Sequence, residues 1–139
     1  MSLKNTLLIL VGASSLVLML ASFQKKPAFD LKASMTRGRE TYITYCLSCH
    51  LDQGEGIEGV YPPLAKSDYL MADKNRAVRQ VLYGASGEMV VNGKTYNAEM
   101  TGVEISDQEV SDVVNYIRNS FGNKGGSITP QQVSALRKK

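Results

Sequence analysis

Residues 46–50 read Cys46-Leu47-Ser48-Cys49-His50. These five positions hold both cysteines of the 139-residue chain and its only histidine. Everything the chain owns in thiol and imidazole chemistry is therefore packed into one helical turn's length of sequence. A disulfide or redox dithiol needs Cys46 and Cys49 but gives His50 no role. A structural zinc site needs four ligands. Cys46, Cys49 and His50 supply three, and no further Cys or His remains to complete the set.

A third chemistry uses all three side chains. In covalent haem c attachment each thiol adds to one haem vinyl group, and the residue after the second cysteine becomes the proximal iron ligand. Two residues between the thiols let a single turn match the vinyl separation. Haem c at Cys46 and Cys49, with His50 on the iron, ranks first; a disulfide or redox dithiol comes second and zinc third.

That chemistry belongs outside the cytoplasm, and the N-terminus agrees. Lys4 precedes an apolar run from Leu7 to Phe23 without a charge, ended by Lys25, Lys26 and Pro27. A basic start followed by an apolar run is the form of a secretory signal. About 17 apolar residues also reach the lower edge of a membrane span. Residues 1–26 are thus expected to be a signal peptide or an N-terminal membrane anchor through residues 7–23. The chain is expected in the periplasm, soluble or anchored to the inner membrane.

Charge follows the same division. Residues 27–121 hold 9 basic and 13 acidic side chains, while residues 122–139 hold 4 basic and none acidic. An acidic globule with basic ends carries no nucleic-acid footprint, which requires a basic face on the folded domain.

Along the chain, residues 27–35 read as a linker and residues 36–45 as a helix capped by Thr36, with Tyr42 and Tyr45 on one face. The stretch DQGEGIEGVYPPL, residues 52–64, has three glycines and two prolines and reads as an irregular loop. Residues 73–83 form a helix with Val78, Val81 and Leu82 as its apolar stripe. Asn92-Gly93 between two strand-like runs is a type I′ hairpin signal. Ser106 and Glu109 make a capping box for a helix running to about Phe121. After a glycine-rich connection, Thr129-Pro130 starts a short final helix.

The iron needs a sixth ligand or an open position, and a second histidine does not exist. Methionine is the usual partner. The candidates are Met35, Met71, Met89 and Met100, each of which is otherwise a flexible apolar filler. Met100 stands between the hairpin and the capped helix, where a pinned loop can cross the open haem face; it ranks ahead of Met89. The proximal histidine also needs its other ring nitrogen oriented. A carbonyl of Pro62 or Pro63 fits that role, with Leu64 covering the haem.

Residues 36–121 resemble a class I c-type cytochrome domain. GRETYITYCLSCH is similar to the family's N-terminal helix and haem motif, and YPPL to the loop whose proline carbonyl meets the haem histidine, with Pro62 the better match. ISDQEVSDVVNYIRNSF resembles the C-terminal helix. The hairpin and tail are similar to cytochromes that act alone or joined to quinone-dependent sugar dehydrogenases and copper nitrite reductases. The resemblance implies an all-α fold of three to five helices around one haem, with a small β-hairpin insertion and a C-terminal extension over 122–139. It implies Gly38 and Tyr42 meeting Tyr116 where the terminal helices cross. It also implies Met100 as axial ligand, although Thr101 stands where that subgroup usually has proline.

Two functions follow. The first is an electron carrier, not an enzyme, with a redox protein partner such as a periplasmic dehydrogenase, reductase or terminal oxidase. The second is a haem protein whose labile sixth position binds a small ligand or reduces peroxide. The second needs a distal acid, base or donor that no spacing signals.

Overall fold

Asp30 opens the first helix. In the computed structural model, which describes residues 28–137, the Asp30 carboxylate accepts from the Ala33 amide at 3.0 Å and α1 runs Leu31–Tyr45. Residues 1–26, where a signal peptide or anchor is expected, lie outside the described residues. Among the described residues no helix is long and apolar enough to cross a membrane.

The expected linker over 27–35 and helix start at Thr36 are corrected here, because residues 31–35 are already helical. Asp30 takes the capping role, and Thr36 sits inside the helix with its hydroxyl bonded back to the Lys32 carbonyl at 3.1 Å.

Cys46 breaks the helix, and a single turn, α2 (Leu47–His50), carries the motif. After the glycine-rich loop come α3 (Asp68–Ala72), capped by Ser67, and α4 (Lys74–Tyr83), capped by Asp73. Four short strands follow: β1 (Gly84–Ala85), β2 (Met89–Val91), β3 (Lys94–Tyr96) and β4 (Met100–Thr101). Then α5 (Asp107–Asn119) opens on the reciprocal Ser106–Glu109 box, and α6 (Pro130–Ser134) on a Thr129–Gln132 box. The described residues thus hold six helices, against an expectation of three to five. The unexpected ones are α2 and α3, pieces of four and five residues, too short to show a 3.6-residue period.

The β2–β3 hairpin pairs Met89 with Tyr96 and Val91 with Lys94, and both Asn92 and Gly93 have positive φ, as a type I′ turn requires. Its turn is fastened to α3: the Asp68 carboxylate accepts from the Asn92 amide at 2.8 Å, and the Asn92 side chain accepts from the Asp68 amide at 3.1 Å. A second antiparallel pair joins β1 to β4, with Ala85 opposite Met100. Met100 therefore lies in a strand rather than in the open loop expected from sequence.

The core forms where α1 crosses α5. A Cβ on Gly38 would stand 1.9 Å from the Asp112 carbonyl oxygen, so only glycine allows this approach. Beside the crossing, the Tyr42, Tyr116 and Phe121 rings pack with centroids 5.4 to 5.5 Å apart. On its other side a polar network closes the joint. Asp112, 1% exposed, accepts from Ser34 at 2.5 Å, from Gln108 at 2.9 Å, and from Arg37 through two bonds of 2.7 and 2.9 Å. A buried carboxylate is tolerable only with such company. The C-terminal tail is stitched to the same helix, since Ser111 and Asn115 both donate to the Ile128 carbonyl. Ile128 and Val133 are thereby buried with the core.

Candidate cofactor site

The motif is positioned by the end of α1. The Cys46 amide donates to Tyr42 O and the His50 amide to Cys46 O, both at 2.9 Å, so Cys46, Cys49 and His50 are presented from one turn. The Tyr42 hydroxyl donates to the Leu51 carbonyl at 2.6 Å, where the backbone leaves the turn with φ 61°. The loop then doubles back. The Leu64 and Ala65 amides both donate to Gly54 O, and the Asn123 side chain of the tail donates to Leu64 O at 2.8 Å.

This return brings Pro62 beneath the histidine. His50 Nδ1 lies 3.0 Å from the Pro62 carbonyl oxygen. A carbonyl only accepts, so Nδ1 carries the proton and Nε2 keeps its lone pair. Gly56 makes room: a Cβ there would stand 2.7 Å from that same oxygen. His50 is buried, and burial lowers its pKa despite the opposing Pro62 bond, so the neutral imidazole is favoured. Burial, and next the neighbouring Cys49, push the Cys46 thiol up to about 11. No disulfide joins Cys46 to Cys49.

Cys46, Cys49, His50, Pro62, Leu64 and Met100 all border one cavity of about 300 Å³. Its wall is mainly apolar, completed by Leu70, Ala77 and Val81 from α3 and α4, Val91 from the hairpin, and Val113 and Ile117 from α5. Of the four candidate methionines, Met89 and Met100 reach this wall and Met35 and Met71 do not. Met89 shares the inward face of β2 with Val91, while Val90 between them is 52% exposed. Met100 is held by the β1–β4 pairing. Pro63 borders the cavity as well, but the bond to His50 belongs to Pro62.

This wall suits a flat, largely apolar group attached through two thiols and ligated by a neutral imidazole, as haem c is. The zinc alternative has no assembled ligand set: among the described residues no three His, Cys, Asp or Glu side chains converge to hold a metal ion. Residues that the sequence reading missed also face the cavity, notably Tyr69 on α3, Gln80 on α4 and Glu99 beside Met100. Gln80 had a signal, being a polar position one turn from Ala77 and next to Val81 on the inward face of α4. Tyr69 had none, because α3 is too short to show a face.

The cytochrome c family matches residues 35–121. The chain is 32% identical over 117 residues to a cytochrome c-552 of Thermus thermophilus, covering 68% of this chain and 89% of that protein. It is 30% identical over 103 residues to the cytochrome c subunit of a quinone alcohol dehydrogenase of Gluconobacter oxydans, covering 72% of this chain and 22% of that subunit. It is also 30% identical over 105 residues to the cytochrome c subunit of a gluconate 2-dehydrogenase of Pantoea cypripedii, covering 73% of this chain and 24% of that subunit.

Proposed function

The chain belongs to the cytochrome c family, and from that premise we propose that it is a class I, mono-haem electron carrier that works in the periplasm with a dehydrogenase-type partner. Its cofactor is haem c, covalently attached. When bound, the haem supplies one iron that cycles between ferric and ferrous states. Every other part of the function belongs to the chain's own residues.

Cys46 and Cys49 would anchor the group, each S–H adding across one haem vinyl double bond to leave a thioether. His50 is the proximal ligand. The Pro62 carbonyl fixes its tautomer and ring plane, so Nε2 has a single orientation. Met100 would supply a thioether to the iron, which favours the ferrous state and raises the potential. Leu64, Leu70, Val91 and Ile117 would keep water from the iron, which disfavours the more highly charged ferric state and raises the potential.

The observation that carries this reading is the bond of 3.0 Å between His50 Nδ1 and Pro62 O at a cavity that the two thiols share. A dehydrogenase partner is supported by the subunits of alcohol and gluconate dehydrogenases to which the chain is similar. Export is supported by Lys4 and the apolar run over residues 7–23. The test is a one-electron titration of the haem-loaded protein followed by its optical spectrum. Reversible cycling with the weak far-red band of methionine–ferric ligation is expected. A high-spin ferric spectrum that shifts on adding small ligands would favour the ligand-binding alternative.

A further inference from the structure

The segment that carries Pro62 has little means of holding itself in place. Pro62 and Pro63 have no amide hydrogen, so neither can donate a bond to the rest of the fold. Upstream, the Ile57 and Tyr61 backbones exchange two bonds of 2.8 and 2.9 Å. Downstream, the Leu64 amide donates to Gly54 O at 2.7 Å. These anchors, like the bond from His50, stay within residues 50–65. Among the described residues a single hydrogen bond reaches residues 61–65 from elsewhere in the chain, and it comes from Asn123.

The chain after α5 is shaped for that reach. Phe121 and Gly122 have φ of 55° and 83°, and the Asn123 amide donates to Ser120 O at 2.9 Å, so the chain reverses just past the helix. The Phe121 ring lies against Gly54, where a Cβ would stand 2.6 Å from it. Asn123 follows and is 7% exposed. Its side-chain nitrogen donates to Leu64 O at 2.8 Å and to Ile117 O at 2.7 Å, a last-turn carbonyl that the helix leaves without a partner. Both partners only accept, so the two N–H groups must face them. The side-chain oxygen is left buried with no hydrogen-bond partner among the described residues. A buried acceptor without a bond is unfavourable, and a residue that keeps one calls for a reason beyond filling space.

Resting on the electron-carrier reading, we propose that Asn123 is a positioning residue for the proximal histidine: it locks Leu64 to α5 and thereby holds the Pro62 carbonyl on His50 Nδ1. Asn123 lies just beyond residues 35–121, the stretch that the cytochrome c family matches, so this support comes from the chain's own tail. Pro62 and Pro63 transmit the constraint because each has a fixed φ. A carbonyl kept 3.0 Å from Nδ1 makes the imidazole a more basic ligand, which favours the ferric state. A carbonyl free to drift weakens that bond, and the equilibrium moves toward ferrous.

The experiment compares haem-loaded Asn123→Leu, Asn123→Ala, Asn123→Gln and Ser111→Ala with the parent. Asn123→Leu keeps the volume and removes both donors. Asn123→Ala removes them without bulk, should leucine prevent folding. Asn123→Gln keeps the amide. Ser111→Ala cuts a different tie between tail and α5, the bond to Ile128 O at 2.7 Å, which does not involve the loop. Each is read by intact mass, far-red band, Tm, reduction potential and the hydrogen-exchange rate of the His50 Nδ1 proton in the ferrous protein by NMR. Haem attachment and the methionine band should persist in all four. Asn123→Leu and Asn123→Ala should shift the ferric–ferrous equilibrium several-fold toward ferrous and speed exchange of the His50 proton. Asn123→Gln should recover part of both. Ser111→Ala should lower Tm and keep the parent potential and exchange rate. A parent potential and exchange rate in Asn123→Leu and Asn123→Ala, or an equal shift in Ser111→Ala, would overturn this inference and leave the carrier reading standing. A parent protein that takes up no haem would overturn the carrier reading, and this inference with it.

Discussion

Replacing Gly38 by alanine sets two effects of opposite sign against each other. Alanine is the better helix former by about 1 kcal/mol, so local propensity alone predicts a more stable protein. The crossing with α5 predicts the reverse. The new Cβ would meet the Asp112 carbonyl oxygen at 1.9 Å and the Tyr116 Cβ at 2.9 Å. An ordinary contact needs about 3.4 Å, so α1 and α5 must separate by about 1.5 Å. Asp112 cannot yield freely, because its carboxylate is held by Ser34, Arg37 and Gln108. Separation also loosens the contact between Tyr42 and Tyr116. Overpacking costs about 1–3 kcal/mol and a weakened hydrogen bond to a charged group about 1.5–3 kcal/mol. Set against the propensity gain, the net loss is about 1.5–5 kcal/mol. For a domain of this size that lowers Tm by about 6–30 °C. Thermal unfolding of the haem-loaded protein, followed by circular dichroism, measures it directly. A Gly38→Ala protein with an equal or higher Tm would refute the reasoning.

Other perturbations address the site and its supports. Met100→Ala should open the sixth position and lower the potential, giving a high-spin spectrum or uptake of added imidazole, whereas Met89→Leu should keep the parent spectrum; the opposite pattern transfers the ligand role to Met89. Gly84→Ala should weaken the far-red band without altering residue 100, because its Cβ would stand 2.1 Å from the Met100 carbonyl across the β1–β4 pair; an intact band would mean that this pairing does not hold Met100. Ser106→Ala should lower Tm by a few degrees at neutral pH through loss of the α5 cap. The Ser106 side chain and then its backbone amide hold Glu109 below its ordinary 4.5, so the stability Glu109 contributes is present above that value and is lost as pH falls through the lower folded pKa. The Tm difference between parent and Ser106→Ala should therefore narrow on acidification, and a constant difference would count against the capping box.

The parts legible in sequence are those fixed by local chemistry. Cys46, Cys49 and His50 announce themselves because their residue types occur nowhere else. The Ser106 and Thr129 boxes and the Asn92-Gly93 turn satisfy their own backbone groups within four residues, so each pattern predicts its own geometry. What stayed hidden depends on distant partners. Asp30 wins the cap from Thr36 partly because extending α1 backward brings Ser34 to Asp112, 78 residues away. Pairing of β1 with β4 joins two-residue segments 15 positions apart, with nothing periodic to betray it. Tyr69 and Arg76 look like any polar surface pair until α3 is seen against the cavity. The methionines lie between these cases. Sequence ranks Met100 above Met89, and the cavity admits both while excluding Met35 and Met71.

The central claim is that Cys46 and Cys49 carry one haem c. The most direct measurement is the intact mass of the protein produced in a periplasm competent for haem attachment, beside a Cys46→Ala/Cys49→Ala variant made the same way. The account predicts the polypeptide plus one haem, resistant to acid–organic extraction, and loss of that increment in the variant. A parent mass equal to the polypeptide alone would contradict it.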